Sequence, residues 1–265
     1  MGSGPQEHAT ADPAGIAADP VASVDRVIWR LNDILEWASD TNSRIGYFAA
    51  VYRRVTVTIR GDIAAGSFAD GARVAEFDVR FAQRFFDALD QHRSGEAPTE
   101  SWRLAFEASD RRDLSVIQHL FLGINAHIRL DLGVVASIVA PGPLIAELRA
   151  DFGAINAILV RLLPRTSREM HRVSPLAPLV PADPFAQQLI ALWIHQVRSD
   201  AWRLAEELAP LVPEEHTSAV VAADRRAAHH ARRLIEPDPA LRQVLRRVVA
   251  PTEDHDVAHV IQSLT

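Results

Sequence analysis

With 265 residues the chain is long enough to bury a substantial core, and a single large domain is the expected organisation. A net charge of -6, with no massed basic block, argues against nucleic acid or an anionic membrane as a main partner. All 28 positive residues are arginine and there is no cysteine. Schiff-base catalysis, pyridoxal phosphate attachment, the P-loop, thiolate nucleophiles, disulfides and cysteine-ligated iron–sulfur clusters are therefore closed to this chain acting alone.

Met1 to Pro20 lacks a basic start followed by an apolar block, so it reads as a flexible leader and not as a secretory signal. Helical periodicity dominates the rest, predicting an all-α, single-domain multi-helix bundle over 21–265. The first helix is expected over Val21 to Ser39 and the second over Arg44 to Ala65, stopped by Gly66. A third starts near Asp70, presents Val74, Phe77, Asp78, Phe81 and Phe85, and ends at His92 to Gly95. Thr99 is the expected cap of a short fourth helix through Ala108, and Asp113 that of a long central helix over about 113–139. A sixth helix runs from Leu144 past Leu163, where Pro164 is expected to kink or interrupt it. The proline-rich stretch 173–184 reads as an extended connection, either linker or lid. Helices at Phe185 to Leu208 and Pro213 to Leu234 follow, then two short ones near Pro239 to Val249 and Asp254 to Ser263. No apolar run is free enough of charge to span a bilayer, so a cytoplasmic protein is the default expectation.

The segment from Gln118 to Gly133, QHLFLGINAHIRLDLG, sets polar groups into what otherwise reads as buried helix. His119, Gly123, His127 and Asp131 form one drifting row, and Gln118, Leu122, Asn125 and Arg129 another. Buried polar side chains need partners, so this helix is expected to cross the middle of the bundle and contribute to a polar pocket.

Three segments together resemble an uncharacterised family of bacterial helical proteins, known only as a domain of unknown function. They are NSRIGYFAAVYRR from Asn42, FDVRFAQRF from Phe77, and Gln118 to Gly133, with Asp151-Phe152, Ile155-Asn156 and Asp200-Ala201-Trp202 extending the similarity over about 42–205. The resemblance implies a helical fold and a shared polar centre, and brings no reaction with it. Phe85 and Phe86 stand where an aromatic hydroxyl would be expected, and the tail after Pro213 matches nothing recognisable.

Three readings of His127 and Asp131, spaced i,i+4, stay open. They can share a divalent cation, with Asp151, Asp78 or His119 supplying further ligands. Asp131 can instead orient His127 as a general base, or the pair can be a structural hydrogen bond. His119 lies ~12 Å back along the helix axis and would face another part of the cavity. Arg44 and Arg84, like Arg53, need acidic mates on their apolar helices, and Asp78 is the natural one; the sharper reading is that they bind a carboxylate or enolate. The candidate catalytic set is thus His127, Asp131, Asp78 and His119, with Arg44, Tyr47, Arg84, Asn125 and Trp102 binding substrate and His127, Asp131 and Asp151 as the metal set.

His255-Asp256-Val257-Ala258-His259 imitates a zinc-protease helix with Asp in place of Glu, and His229-His230 is a poor chelate because adjacent helical residues diverge by about 100°. No Gly-x-Ser-x-Gly, Gly-x-Gly-x-x-Gly or Glu-x-x-His motif is present. The expected cofactor is none or one divalent metal, with no flavin and no NAD. The expected function is acid/base, metal-assisted if an ion is bound: cyclisation, isomerisation or hydrolysis of a small apolar metabolite. The alternative is a non-catalytic binding or scaffold protein with a structural polar core. Oligomeric state is not legible.

Overall fold

The computed structural model describes residues 19–175 and 184–265, the side chains of 184–193 excepted. Ten helices and no strand occur among them: α1 Pro20–Asp40, α2 Ile45–Ala64, α3 Gly71–Ser94, α4 Glu100–Ala108, α5 Val116–Val139, α6 Ile145–Val173, α7 Pro184–Leu208, α8 Pro213–Ile235, α9 Pro239–Val244 and α10 Val257–Leu264. The fold is all-α. One main apolar cluster joins Val24 of α1 to Leu264 of α10, with two small satellites where α8 meets α5 and α4.

Local chemistry sets most helix ends. Asp19 accepts from the Ala22 amide at 2.9 Å and Asp70 from the Arg73 amide at 2.9 Å, each satisfying a first-turn donor. Gly95, at φ 81°, ends α3 in the left-handed conformation that suits glycine. Asp19 thus caps α1 and Pro20 opens it, where a leader through Pro20 is expected; the rest of that leader, residues 1–18, lies outside the described residues, as does 176–183 of the proline-rich connection.

Two caps differ from expectation: α5 is closed by a local Ser115–Gln118 capping box together with the distant Glu253, and α4 by the distant Asp224. Asp113 pairs with Arg111 and does not cap α5; instead Gln118 Oε1 accepts from the Ser115 amide and Glu253 from the Val116 amide. Thr99 makes no capping bond, since Asp224 of α8 takes the Glu100 and Ser101 amides at 2.7 and 3.0 Å. Pro164 does not interrupt α6, a 29-residue helix. Ile155 and Ile158 before it, and Met170 and Val173 after it, are all buried, and that anchoring outweighs the ~3 kcal/mol cost of an interior proline.

Helix α5 alone among the described residues is long and apolar enough, by composition, to cross a membrane. Its apolar window is 72% buried within the protein, so that character belongs to a core helix. Gly123 permits this placement. A Cβ there would lie 2.5 Å from Cγ of Phe48 on α2, so the two helices meet at a contact no larger residue allows. Gly123→Ala is expected to destabilise the fold by about 1–3 kcal/mol through overpacking, read as a lowered urea midpoint with unchanged m-value.

Candidate functional site

The polar row of α5 lies on an irregularity of the helix. Residues His127–Asp131 form a single π-turn, the Leu132 amide reaching back five residues to the His127 carbonyl. A π-turn widens the helix and shifts the side chains on it, and such turns concentrate at functional sites. Nothing in the periodicity announces it.

Asp131, 0% exposed, is the hub of three helices. Its Oδ1 accepts from Arg84 Nε of α3 at 2.7 Å and its Oδ2 from Trp102 Nε1 of α4 at 2.8 Å. Burial pushes its pKa up, but the Arg84 charge and the contacts with His127 and Arg84 outweigh it and hold the carboxyl below its ordinary value. Arg84 is pushed up in turn, chiefly by the Asp131 charge. The resulting carboxylate can only accept, and His127 Nδ1 stands 3.4 Å from Oδ2. The proton of a neutral imidazole is thereby assigned to Nδ1, leaving the Nε2 lone pair free. Burial lowers the His127 pKa against the opposing pull of Asp131, which keeps the ring neutral.

Aromatic rings fix that imidazole. Phe81 stacks on it with centroids 3.6 Å apart and planes 12° from parallel, while Tyr52 and Phe48 meet it edge-on at 4.6 and 5.4 Å. His127 also lines a predominantly apolar cavity of about 170 Å³ between α2, α3, α5 and α6, with α7 contributing Ile194, Val197 and Arg198. The lining is almost wholly aliphatic and aromatic, and its size compares with the ~150 Å³ at which an engineered apolar cavity admits benzene. A ring-sized or short branched ligand fits.

Four buried polar atoms on residues lining this cavity lack a hydrogen-bond partner: His127 Nε2, Tyr52 Oη, Asp78 Oδ2 and Ser167 Oγ. Orphaned buried groups are uncommon in native proteins; these four gather on residues of one apolar cavity, while six others among the described residues lie elsewhere. Burial raises the Asp78 pKa to about 7, so this carboxyl is both acid and base at neutral pH. Burial, then the charges of Asp78 and Asp131, pushes Tyr52 well up and keeps its hydroxyl protonated. Tyr52 and Ser167 were not among the sequence candidates. Neither carries a catalytic motif, and only their lack of hydrogen-bond partners distinguishes them.

Other expected site residues lie elsewhere. Asp78 is not the mate of an arginine: Arg84 takes Asp131, Arg53 takes Asn32, and Arg44 donates to the Ser109 carbonyl at 3.2 Å. His119, Arg44 and Trp102 line a separate crevice of about 10 Å³, too small for more than one water. Tyr47 packs edge-on against His119 with centroids 6.1 Å apart. Burial, then the Arg44 charge, lowers His119 to about 4, consistent with a neutral core residue. Asn125 donates to the Ala227 carbonyl at 2.9 Å and ties α5 to α8, away from the cavity. Trp102 and Arg84 therefore act on Asp131, and neither lines the apolar cavity.

The metal set is not assembled. Asp151 accepts from the Ala69 amide at 2.8 Å and from Arg73 at 3.2 Å, and both Asp131 oxygens already hold donors. Among the described residues no three His, Cys, Asp or Glu side chains gather as a metal would need. The protease-like tail is also dispersed, for His259 pairs with Asp254 while Asp256 caps α10.

The sequence profile of one family matches residues 24–237. The chain belongs to DUF5995, a family of unknown function. The DUF5995 match runs past Pro213 to the end of α8, so that part of the tail is family sequence and not an unrelated addition. No curated protein and no solved structure gave a significant match.

Proposed function

We propose that this chain is an enzyme that moves a proton within a small apolar metabolite, an isomerase or cyclase working by side-chain acid/base chemistry. The observation that carries this reading is the free Nε2 of His127 on an apolar cavity, with Asp131 behind the ring and the unpartnered Asp78 and Tyr52 groups on the same cavity. The arrangement follows the logic by which a buried carboxylate holds a histidine in the tautomer whose other nitrogen is basic.

In the proposed step, His127 Nε2 takes a proton from a carbon of the bound molecule, and the electron pair left behind shifts along the conjugated system. Protonated Asp78, or the Tyr52 hydroxyl, returns a proton at a second atom, and transfer between the protein groups restores the start. No oxidant, reductant or cofactor is consumed. The apolar lining strengthens the charges that develop and disfavours water as a competitor, which favours rearrangement over hydrolysis.

A base that exchanges its proton with solvent labels its substrate. In deuterium oxide, a panel of small enones, cyclic ketones and unsaturated acids is expected to yield at least one compound that gains deuterium in the presence of the protein, detected by mass spectrometry. His127→Ala is expected to lower that rate by 10²–10⁴-fold while the far-ultraviolet circular dichroism stays unchanged. Equal exchange with the variant would remove His127 as base. A wild-type protein that labels nothing and a variant that loses its thermal transition would favour the scaffold reading.

A further inference from the structure

Two arginines are buried among the described residues, Arg54 and Arg198, and only the first has a carboxylate partner. Arg54, on α2, pairs with Glu169 and also donates to the Leu264 carbonyl, and Arg84 pairs with Asp131. Arg198 on α7 is 2% exposed and has no acidic partner within ion-pair distance among the described residues. Its Nε donates to Asn156 Oδ1 and its Nη2 to the Phe152 carbonyl at 3.3 Å, both on α6. The guanidinium lies over the Phe152 ring, 4.3 Å from its centroid. Nη1 donates to no described residue.

A buried guanidinium is costly to keep charged when only neutral groups accept from it, and burial alone pulls Arg198 down to about 9. It remains protonated at neutral pH, so the protein holds a permanent positive charge on the wall of the apolar cavity, which Arg198 lines. The same cavity has no compensating anion bonded to it: Asp78, the acidic residue on its lining, makes no ion pair. Asn156 and the Phe152 carbonyl orient the planar fork, and the Phe152 face supports it, an arrangement that preorganises a cation for a planar anion.

We infer that Arg198 is the anion-recognition residue of this cavity and that the ligand is a small apolar monocarboxylate, aromatic or branched, whose carboxylate meets the guanidinium while its apolar body fills the space lined by Phe48, Phe77, Phe81 and Ile155. This inference rests on the acid/base reading for what happens to the ligand and not for where it binds. Cavity volume sets the size class, and the buried arginine on its lining, without a carboxylate partner among the described residues, sets the charge. Nη1 is the donor left for the ligand, and the neutral acceptors on Nε and Nη2 leave the charge uncompensated until an anion arrives. A carboxylate bound there would hold the ligand in one orientation, which a purely aliphatic cavity cannot do.

The test uses full-length protein and four probes of matched size: benzoate, phenylacetate, benzamide and toluene, with affinity measured by isothermal titration calorimetry and confirmed by ligand-observed NMR. The expected result is that benzoate or phenylacetate binds at least tenfold more tightly than benzamide, and that Arg198→Met abolishes this preference while toluene binding persists. Replacing an unmated buried cation by an apolar side chain should not unfold the protein, so a raised or unchanged melting temperature for Arg198→Met is part of the expectation. Arg198→Lys keeps the charge without the fork, and it should retain weakened carboxylate binding; this variant serves if the methionine one fails to fold. Equal affinities for benzoate and benzamide in the wild-type protein, or a carboxylate preference that survives Arg198→Met, would overturn the inference. Loss of the preference alongside continued deuterium labelling of a neutral compound leaves the acid/base reading standing, whereas carboxylate binding with no labelling of any bound acid counts against that reading and supports Arg198.

Discussion

Asp131→Ala is expected to destabilise the protein by about 3–5 kcal/mol, the usual cost of deleting one partner of a buried ion pair. The carboxylate is fully buried and accepts from Arg84 and Trp102, which lie on two other helices. Its loss leaves a guanidinium on α3 without its mate and an indole N–H in the core without an acceptor, a second loss of about 1–3 kcal/mol that does not simply add to the first. His127 also loses the group that assigns its proton to Nδ1. Urea unfolding followed by circular dichroism reads the stability, and the pair Arg84→Met with Asp131→Leu reads its origin. Removing both charges together should recover most of the loss, since apolar replacement of a buried pair is often neutral. An Asp131→Ala cost below about 1 kcal/mol would mean that water reaches the hub and that the pair is held elsewhere than in a dry core.

The second large effect depends on pH. Asp78 has an ordinary value of 3.8 and is raised to about 7 by burial alone, so the folded protein favours its neutral form. The stability linked to this group is therefore complete below about pH 3.8 and is lost as pH rises through about 7. The gap between those values corresponds to an upper bound of ~4 kcal/mol. Asp78→Asn keeps the shape and cannot ionise. Its stability relative to wild type should rise by several kcal/mol between pH 4 and pH 8, measured as the difference in denaturation midpoints across that range. A constant difference would show that Asp78 ionises in the folded state as readily as in water. If Asp78 and not Tyr52 returns the proton, the same variant should also lose deuterium labelling at the second atom of the substrate while gaining stability at high pH. Opposite movements of that kind are the signature of a group kept for chemistry at the expense of the fold.

The helical class and nearly every helix boundary were legible in the sequence. Each rests on local physics: apolar spacing at 3.6 residues, a carboxylate before the first turn at Asp70, a glycine after the last at Gly95. The polar character of the central helix was legible for the same reason, because Gln118 to Gly133 places His, Asn and Asp among residues that can only be core. Local physics failed where a distant residue supplied the partner. Asp224 and Glu253 cap α4 and α5 from over a hundred positions away, and no spacing rule links them to the helices they close.

Tertiary structure decided which polar residues line the apolar cavity and which lie outside it. Asn125, His119 and Asp151 share the residue types of the site, and packing leaves each outside that cavity. Tyr52, Ser167 and Arg198 carry no motif, yet packing puts all three on the cavity, two without any partner and one without an anionic mate. Composition and periodicity report what a residue could bond to. Whether it has done so depends on what the other helices bring within 3 Å, and that is settled by the packing of a whole core at once.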